Sequence, residues 1–149
     1  MKTKVFALFL LCCFALTSCQ DDDDLQPANP DCGPAISIIA DPDSRNSDNF
    51  TITEATVDGL CLTVTLAATG CSTSNWQAEI VTDGAVAESL PTQSFARIIL
   101  DDGVPDGSPI CQAEVSRTFS FDLTTYLGDG GSRPSLLTLR GMNMTVTVE

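Results

Sequence analysis

The chain has no histidine, and its two lysines, Lys2 and Lys4, both precede a long apolar run. Catalytic sets of the Ser-His-Asp, Cys-His or Ser-Lys type therefore cannot be built beyond residue 18. From residue 19 onward, five arginines stand against 20 acidic residues, which gives a net charge of about −15. Phosphate backbones are bound through Lys and Arg, so nucleic acid is excluded as a partner.

The chain also lacks an apolar run long enough to cross a membrane as a helix. Residues 5–16 are almost all apolar, but such a run falls short of the roughly 20 residues that a span needs. Lys2 and Lys4 precede the run, and the small residues Thr17 and Ser18 follow it. This pattern predicts a secretory signal peptide over residues 1–18, which leaves 131 residues, enough for one domain and not two.

The tetrad Leu16-Thr17-Ser18-Cys19 stands where the apolar run ends. It resembles the lipobox of bacterial lipoproteins, which implies that Cys19 carries a thioether-linked diacylglycerol and becomes the first residue after cleavage. A thiol is needed there because its thiolate is the nucleophile. The alternative is an ordinary signal peptide with a chance cysteine near the cut, since Cys12 and Cys13 also lie in the run.

Gln20 and four consecutive aspartates, residues 21–24, follow Cys19. This stretch resembles the lipoprotein export signal of Bacteroidetes-type bacteria, which implies display on the outer face of the outer membrane. The simpler interpretation is a solvated spacer, with the protein on the periplasmic face. Residues 19–31 are acidic and contain two prolines, so they predict an extended, disordered tether between the lipid and the domain.

Four cysteines remain for the domain: Cys32, Cys61, Cys71 and Cys111. An even number in an exported domain predicts two disulfides, since a zinc site would lack both histidine and a Cys-x-x-Cys pair. A pairing of Cys61 with Cys71 is the least favoured of the three, because one extended strand separates the two residues. Cys32–Cys61 with Cys71–Cys111 is favoured.

Residues 32–149 alternate short apolar runs with clusters of Gly, Pro, Asp and Ser. This pattern predicts an all-β domain, an antiparallel, immunoglobulin-like β-sandwich of seven or eight strands. The clearest strand places Leu62, Val64 and Leu66 on one face. A phase change near Glu54 predicts a bulge, and residues 95–100 predict a central strand.

Four short motifs together resemble a group of small lipoprotein domains of Bacteroidetes-type bacteria that have no assigned activity. The resemblance covers residues 53–148 and implies a β-sandwich on a lipid anchor. The motifs are Gly70-Cys71 before Asn75-Trp76, Glu88-Ser89-Leu90-Pro91, Ile110-Cys111-Gln112-Ala113, and Phe119-Ser120-Phe121-Asp122-Leu123.

Two acidic loops are candidate calcium sites, because hard oxygen ligands on a loop suit Ca²⁺. One carries Asp101, Asp102 and Asp106, and the other carries Asp41, Asp43 and Asp48. The alternative is that Asp and Gly simply form good turns there.

Three large side chains, Trp76, Arg97 and Arg117, lie on apolar faces of the predicted strands. Trp76 shares a face with Ala78 and Ile80, which favours a core position over a sugar-stacking platform. Arg97 and Arg117 interrupt apolar faces, so each either pairs with an acid or marks a bulge.

The sequence as a whole predicts a non-enzymatic, surface-anchored domain that binds an envelope protein or a glycan, or that assembles with the envelope. A calcium-stabilised adhesion or carbohydrate-binding module is the first alternative. A small hydrolase of the paired-carboxylate glycosidase type is the second.

Overall fold

The computed structural model describes residues 32–105, 107–109, 111–127, 134–142 and 144–149. The predicted signal peptide, the lipidated Cys19 and the tether lie outside these residues. The described chain forms nine β-strands, one short helix α1 (Thr124–Leu127) and a 3₁₀ turn (Pro42–Ser44). The all-β prediction is confirmed. The strands are β1 (Ser37–Ile38), β2 (Thr51–Asp58), β3 (Cys61–Gly70), β4 (Gln77–Thr82), β5 (Val86–Ala87), β6 (Thr92–Asp101), β7 (Ala113–Asp122), β8 (Ser135–Leu139) and β9 (Met144–Val148).

The first sheet is antiparallel, in the order β2–β3–β7. Its central strand, β3, has the predicted alternation, and Leu62, Val64 and Leu66 are 0% exposed. β2 and β3 form a hairpin that closes where Asp58 pairs with Cys61. Gly59 in this turn has φ +58°, a conformation that glycine adopts without a steric penalty.

Both edge strands of the first sheet carry a feature that discourages pairing with another chain. In β2 the register shifts between Ile52 and Glu54, which confirms the predicted bulge. In β7 Arg117 lies opposite Leu66 and therefore on the core-facing side of the sheet. Inward-pointing charges and bulges are two devices by which edge strands avoid aggregation.

The second sheet has the order β1–β4–β6–β8–β9, and β5 pairs with the first half of β6. As predicted, residues 95–100 lie in a central strand. The prediction of an entirely antiparallel fold is wrong here, because β1 runs parallel to β4 and β8 runs parallel to β6. The chain leaves β6, forms β7 in the first sheet and returns as β8, and such a crossover brings a strand back in the same direction.

The two sheets bury their inner faces in one hydrophobic core. Trp76 is 4% exposed within that core, which confirms its predicted core position. The buried members from the strands are Leu62, Val64, Leu66, Ile80, Ala96, Ile98, Leu100, Phe121, Leu137, Leu139 and Val148. The burial of these apolar side chains is the main favourable contribution to the folding of the domain.

Residues 39–48 cross the outer face of the second sheet and are held there by arginines. The guanidinium of Arg97 in β6 donates to the carbonyl oxygens of Pro42, Asp43 and Arg45, at 2.9, 3.1 and 2.9 Å. Within the part of the chain that the structure describes, Arg97 therefore has neither an acid partner nor a bulge, the two roles its sequence context predicts. Arg140 lies over the Phe95 ring, 5.2 Å from its centroid.

Helix α1 follows β7 directly and brings Tyr126 close to β5. The hydroxyl of Tyr126 donates to the carbonyl oxygen of Ala85 at 2.7 Å. Burial raises the pKa of Tyr126 above its ordinary value of 10.0, against the smaller opposing effect of hydrogen bonds with Thr82 and Ser94.

Tyr126 is the only tyrosine of the chain, so phenolate absorbance at alkaline pH reports this residue alone. We expect a midpoint above pH 10 in the folded protein and at about 10 in denaturant. A raised pKa means that the contribution of the phenol to stability is complete below pH 10 and is lost as the pH rises through the folded midpoint. Trp76 fluorescence in the same titration confirms that the protein is still folded, and a folded midpoint at or below 10 would contradict this burial.

Candidate functional site

The direction of the strands gives the domain two distinct ends. Cys32 is bonded to Cys61 at the start of β3, and residues 34–36 lie beside the last residue of β7. We call this the Cys32 end. The far end, at the other end of β3, comprises residues 45–51, 71–76, 101–105, 107–109 and 111–114. The ten residues of β3 place the two ends about 30 Å apart.

The second disulfide lies at the far end. Cys71 follows β3, Cys111 precedes β7, and their Cα atoms are 4.8 Å apart. The structure therefore has the two disulfides that the sequence favours, Cys32–Cys61 and Cys71–Cys111, one at each end of β3. Each closes a long loop of the unfolded chain, which in the chain-entropy model stabilises the fold by about 3.5–4 kcal/mol.

The far end also gathers three acidic side chains from both of the predicted acidic loops. One carboxylate oxygen from each of Asp48, Asp101 and Asp102 lies within 4.8 Å of the others. Asp101 and Asp102 belong to the predicted calcium set, whereas Asp106, its third member, lies outside the described residues. Asp48 joins them although the sequence analysis places it in the other candidate loop, with Asp41 and Asp43.

The other two acids of that separate loop are used elsewhere. A side-chain oxygen of Asp41 accepts a hydrogen bond from the backbone N–H of Asp43 at 3.1 Å and so caps the 3₁₀ turn. The carboxylate of Asp43 is 3.4 Å from the guanidinium of Arg140. No local signal could have separated Asp48 from these two residues, because its position depends on long-range contacts of β6 with residues 47–48.

Backbone hydrogen bonds already use all three clustered carboxylates. Asp48 Oδ2 accepts from the N–H of Asp102 at 2.8 Å, which ties the segment before β2 to the end of β6. Asp101 Oδ1 accepts from the N–H of Gly103 at 2.8 Å, and Asp102 Oδ1 accepts from the N–H of Val104 at 2.7 Å. The contacts of Asp101 and Asp102 are of the turn-forming kind that was the alternative to calcium, whereas Asp48 joins two distant segments.

Three carboxylates at this spacing could supply part of a Ca²⁺ coordination shell, which needs six to eight oxygens. The hydrogen bonds instead predict a metal-independent role. Asp48→Asn keeps an acceptor for the Asp102 N–H and removes one of three like charges, so we expect an unchanged or slightly higher melting temperature. Asp48→Ala loses the acceptor and should cost about 1 kcal/mol.

Differential scanning calorimetry with and without calcium measures both effects. The metal-independent role predicts the same melting temperature in millimolar Ca²⁺ as in chelator. A calcium-dependent rise in the wild type that Asp48→Asn abolishes would contradict it and would favour a metal site.

Two grooves open at the far end and share Asp48 in their lining. The first lies on the outer face of the second sheet, between residues 45–48 and the adjoining parts of β4 and β6, with Val104 on its edge. The second lies between the start of β2 and the end of β3. Its apolar lining comes from Phe50, Ala67 and Ala68, and its acidic lining comes from Asp48, Asp102 and Glu114.

The arginines of the described residues do not neutralise the acids of the second groove. Arg45 pairs with Glu79, and Arg140 pairs with Asp43 and Asp83. The remaining two arginines, Arg97 and Arg117, donate to backbone carbonyls.

Arg117 links β7 to the segment between β3 and β4. Its guanidinium donates to the carbonyl oxygens of Thr73 and Trp76 at 2.9 and 3.0 Å. It also lies 5.0 Å from the centre of the Phe119 ring. Among the described residues Arg117 has no acid partner and marks no bulge, contrary to the prediction, because its guanidinium donates to backbone carbonyls instead.

No protein-family model and no curated protein matches this chain. A solved structure is similar in fold: the protein of unknown function DUF1344 from Bacteroides vulgatus ATCC 8482. The TM-score is 0.50 at 15% sequence identity, over 78% of this chain and 55% of that one. The chain thus spans about half the length of that protein, and the likeness concerns the fold alone. No helix among the described residues is long and apolar enough to cross a membrane.

Proposed function

We propose that this chain is a lipoprotein held by acyl chains on Cys19, displayed on the outer face of the outer membrane, whose domain binds an envelope partner without catalysing a reaction. The lipobox tetrad and the four aspartates behind it support the anchor and the display. Two disulfides in a small β-domain also suit an exported, oxidising environment.

The observation that carries the proposal is the position of Cys32 in the fold. The tether of residues 19–31 leads into Cys32, and the bond to Cys61 fixes that junction at one end of the domain. A tether of this length reaches at most about 45 Å. Both grooves lie in the half of the domain away from this junction, so the far end is the surface farthest from the point where the tether enters the domain.

The charge of the far end favours one kind of partner. Asp48, Asp102 and Glu114 line the second groove, and no arginine of the described residues pairs with them. An envelope protein with Lys or Arg side chains on its contacting face fits this surface better than an acidic glycan does, because like charges across an interface are costly.

We also propose that the domain has an immunoglobulin-like form. The core shared by the two sheets supports it. The parallel pairs β1–β4 and β6–β8 depart from the all-antiparallel pattern of that architecture.

Affinity capture from intact envelopes with a matched pair of variants tests the binding surface. Glu114→Lys reverses a charge at the far end, and Asp58→Lys makes the same reversal at the exposed last residue of β2, at the Cys32 end. We expect Glu114→Lys to reduce the captured partner by about tenfold, since close charge pairs contribute 1.5 kcal/mol or more. Asp58→Lys should capture as much as the wild type does. Equal capture by both variants, or loss with Asp58→Lys alone, would overturn the assignment of the far end.

A further inference from the structure

The two disulfides differ in their access to solvent. Cys71 and Cys111 are both exposed. Cys32, in contrast, is 1% exposed, and its partner Cys61 is half-buried. Thiol–disulfide exchange requires a thiolate to reach one of the two sulfurs, so the two bonds should differ in their rate of exchange.

The Cys32–Cys61 bond is covered by the backbone at the end of β7. Cys32 Sγ lies 3.1 Å from the carbonyl oxygen of Phe121. The next residue, Gly33, has φ +95° and packs so tightly that a Cβ on it would overlap the carbonyl oxygen of Ser120. A reductant can reach the sulfur of Cys32 only after the end of β7 or residues 32–36 have moved, and the half-buried Cys61 offers the less covered sulfur of this bond.

The Cys71–Cys111 bond has no comparable cover among the described residues. It connects the loop after β3 to the segment before β7, and its neighbours Ser72 and Gln112 are also exposed. The N–H of Cys111 donates to Cys71 Sγ at 3.1 Å, so one sulfur already accepts a hydrogen bond. Such a bond stabilises negative charge on that sulfur as it leaves as a thiolate.

We propose that Cys71–Cys111 is a thiol–disulfide exchange site for a dithiol reductant, while Cys32–Cys61 is a permanent structural bond. A thiolate of the dithiol attacks Sγ of Cys71 or Cys111, and the other cysteine leaves as a thiolate. The second thiol of the reductant then resolves the mixed disulfide. Two electrons pass to the protein, which gains two thiols, and the reductant leaves as a disulfide.

The location of this bond gives its cleavage a structural consequence. Cys111 is the C-terminal attachment of the long loop that begins after β6 and carries Asp102 and Val104. Reduction removes that cross-link to Cys71 and leaves the end of the loop held by the pairing of Ala113 with Gly70, while the Cys32–Cys61 bond still joins the start of the domain to β3. An effect of reduction on partner binding rests on the proposed function. The difference in reduction rate between the two disulfides does not depend on it.

Timed reduction of the oxidised, folded chain with dithiothreitol tests the proposal. Free thiols are trapped with iodoacetamide and assigned by peptide mass spectrometry, while fluorescence of the single Trp76 reports whether the core stays intact. We expect Cys71 and Cys111 to be alkylated at least about tenfold faster than Cys32 and Cys61, before Trp76 emission shifts to that of an exposed indole. Equal rates, or earlier alkylation of Cys32 and Cys61, would overturn the proposal.

A variant that keeps only the covered bond provides the control. In Cys71→Ala/Cys111→Ala the Cys32–Cys61 bond should still be reduced slowly for as long as Trp76 remains buried. Fast reduction in this folded variant would show that the slow rate in the wild type depends on the other disulfide and not on cover by β7. The wild-type time course decides the question if the variant does not fold, and neither result depends on the lipid anchor.

Discussion

Cys19→Ala is expected to remove the covalent lipid and with it the surface-displayed protein. Each buried CH₂ of an acyl chain contributes about 0.8 kcal/mol, so two or three chains hold a protein that a single chain would release. Metabolic labelling with a radioactive fatty acid should fall to background in the purified variant. Protease treatment of whole cells should digest the wild-type domain and find none of the variant at the surface.

Cys13→Ala is the matched control for this substitution. It removes a cysteine from the same signal region but leaves the Leu16-Thr17-Ser18-Cys19 tetrad unchanged. Labelling and surface display should equal those of the wild type. Continued fatty-acid labelling of Cys19→Ala would contradict the assigned lipidation site, and protection of the wild type from protease would contradict display on the outer face.

Gly33→Ala is expected to have the largest effect on stability of the single glycine substitutions in the described residues. Gly33 has φ +95°, and an added Cβ would overlap the backbone carbonyl of Ser120. That oxygen belongs to β7 and cannot rotate away as the end of a side chain would. The strained φ costs roughly 1 kcal/mol, and displacement of β7 brings the total to about 3 kcal/mol or more.

Gly59→Ala separates the two contributions. Gly59 also has a positive φ, +58°, but a Cβ there would meet no atom within 4 Å. We expect it to lose about 1 kcal/mol, for the backbone conformation alone. Urea unfolding followed by Trp76 fluorescence, with both disulfides intact, measures the two variants. Equal losses would show that the contact of Gly33 with β7 is not tight.

Most of what could be predicted about the fold came from the alternation of apolar and polar side chains along the strands. The period of two in residues 60–66 predicts β3 and its buried face because alternate side chains of a strand point to opposite sides. The phase change near Glu54 locates the bulge for the same reason, and the phase of Trp76 places it in the core. Each of these predictions needs only local sequence.

Strand direction and the arginine partners could not be predicted in this way. Alternation gives the face of each residue but not the direction of its neighbours, so the parallel pairs β1–β4 and β6–β8 leave no signal. Arg97 and Arg117 donate to backbone carbonyls, groups that every residue carries, so the sequence offers no particular partner for them.

The candidate site could be predicted only in part, for a related reason. Asp101 and Asp102 are adjacent in sequence, and their place in one turn is a local property. Asp48 joins them because the N–H of Asp48 donates to the carbonyl oxygen of Leu100 at 2.9 Å, a contact between distant parts of the chain. The far end as a surface likewise depends on the directions of several strands, which the sequence pattern does not contain.

The first residue of the mature protein shows whether Cys19 is the lipid anchor. Mass spectrometry of the N-terminal peptide, from protein purified out of the outer membrane, gives its sequence and its modification together. Lipidation at Cys19 predicts a peptide that begins at Cys19, continues with Gln20, and carries a thioether-linked diacylglycerol. A peptide that begins at another residue, or that contains Cys19 as a free thiol, would contradict the anchor and the display together.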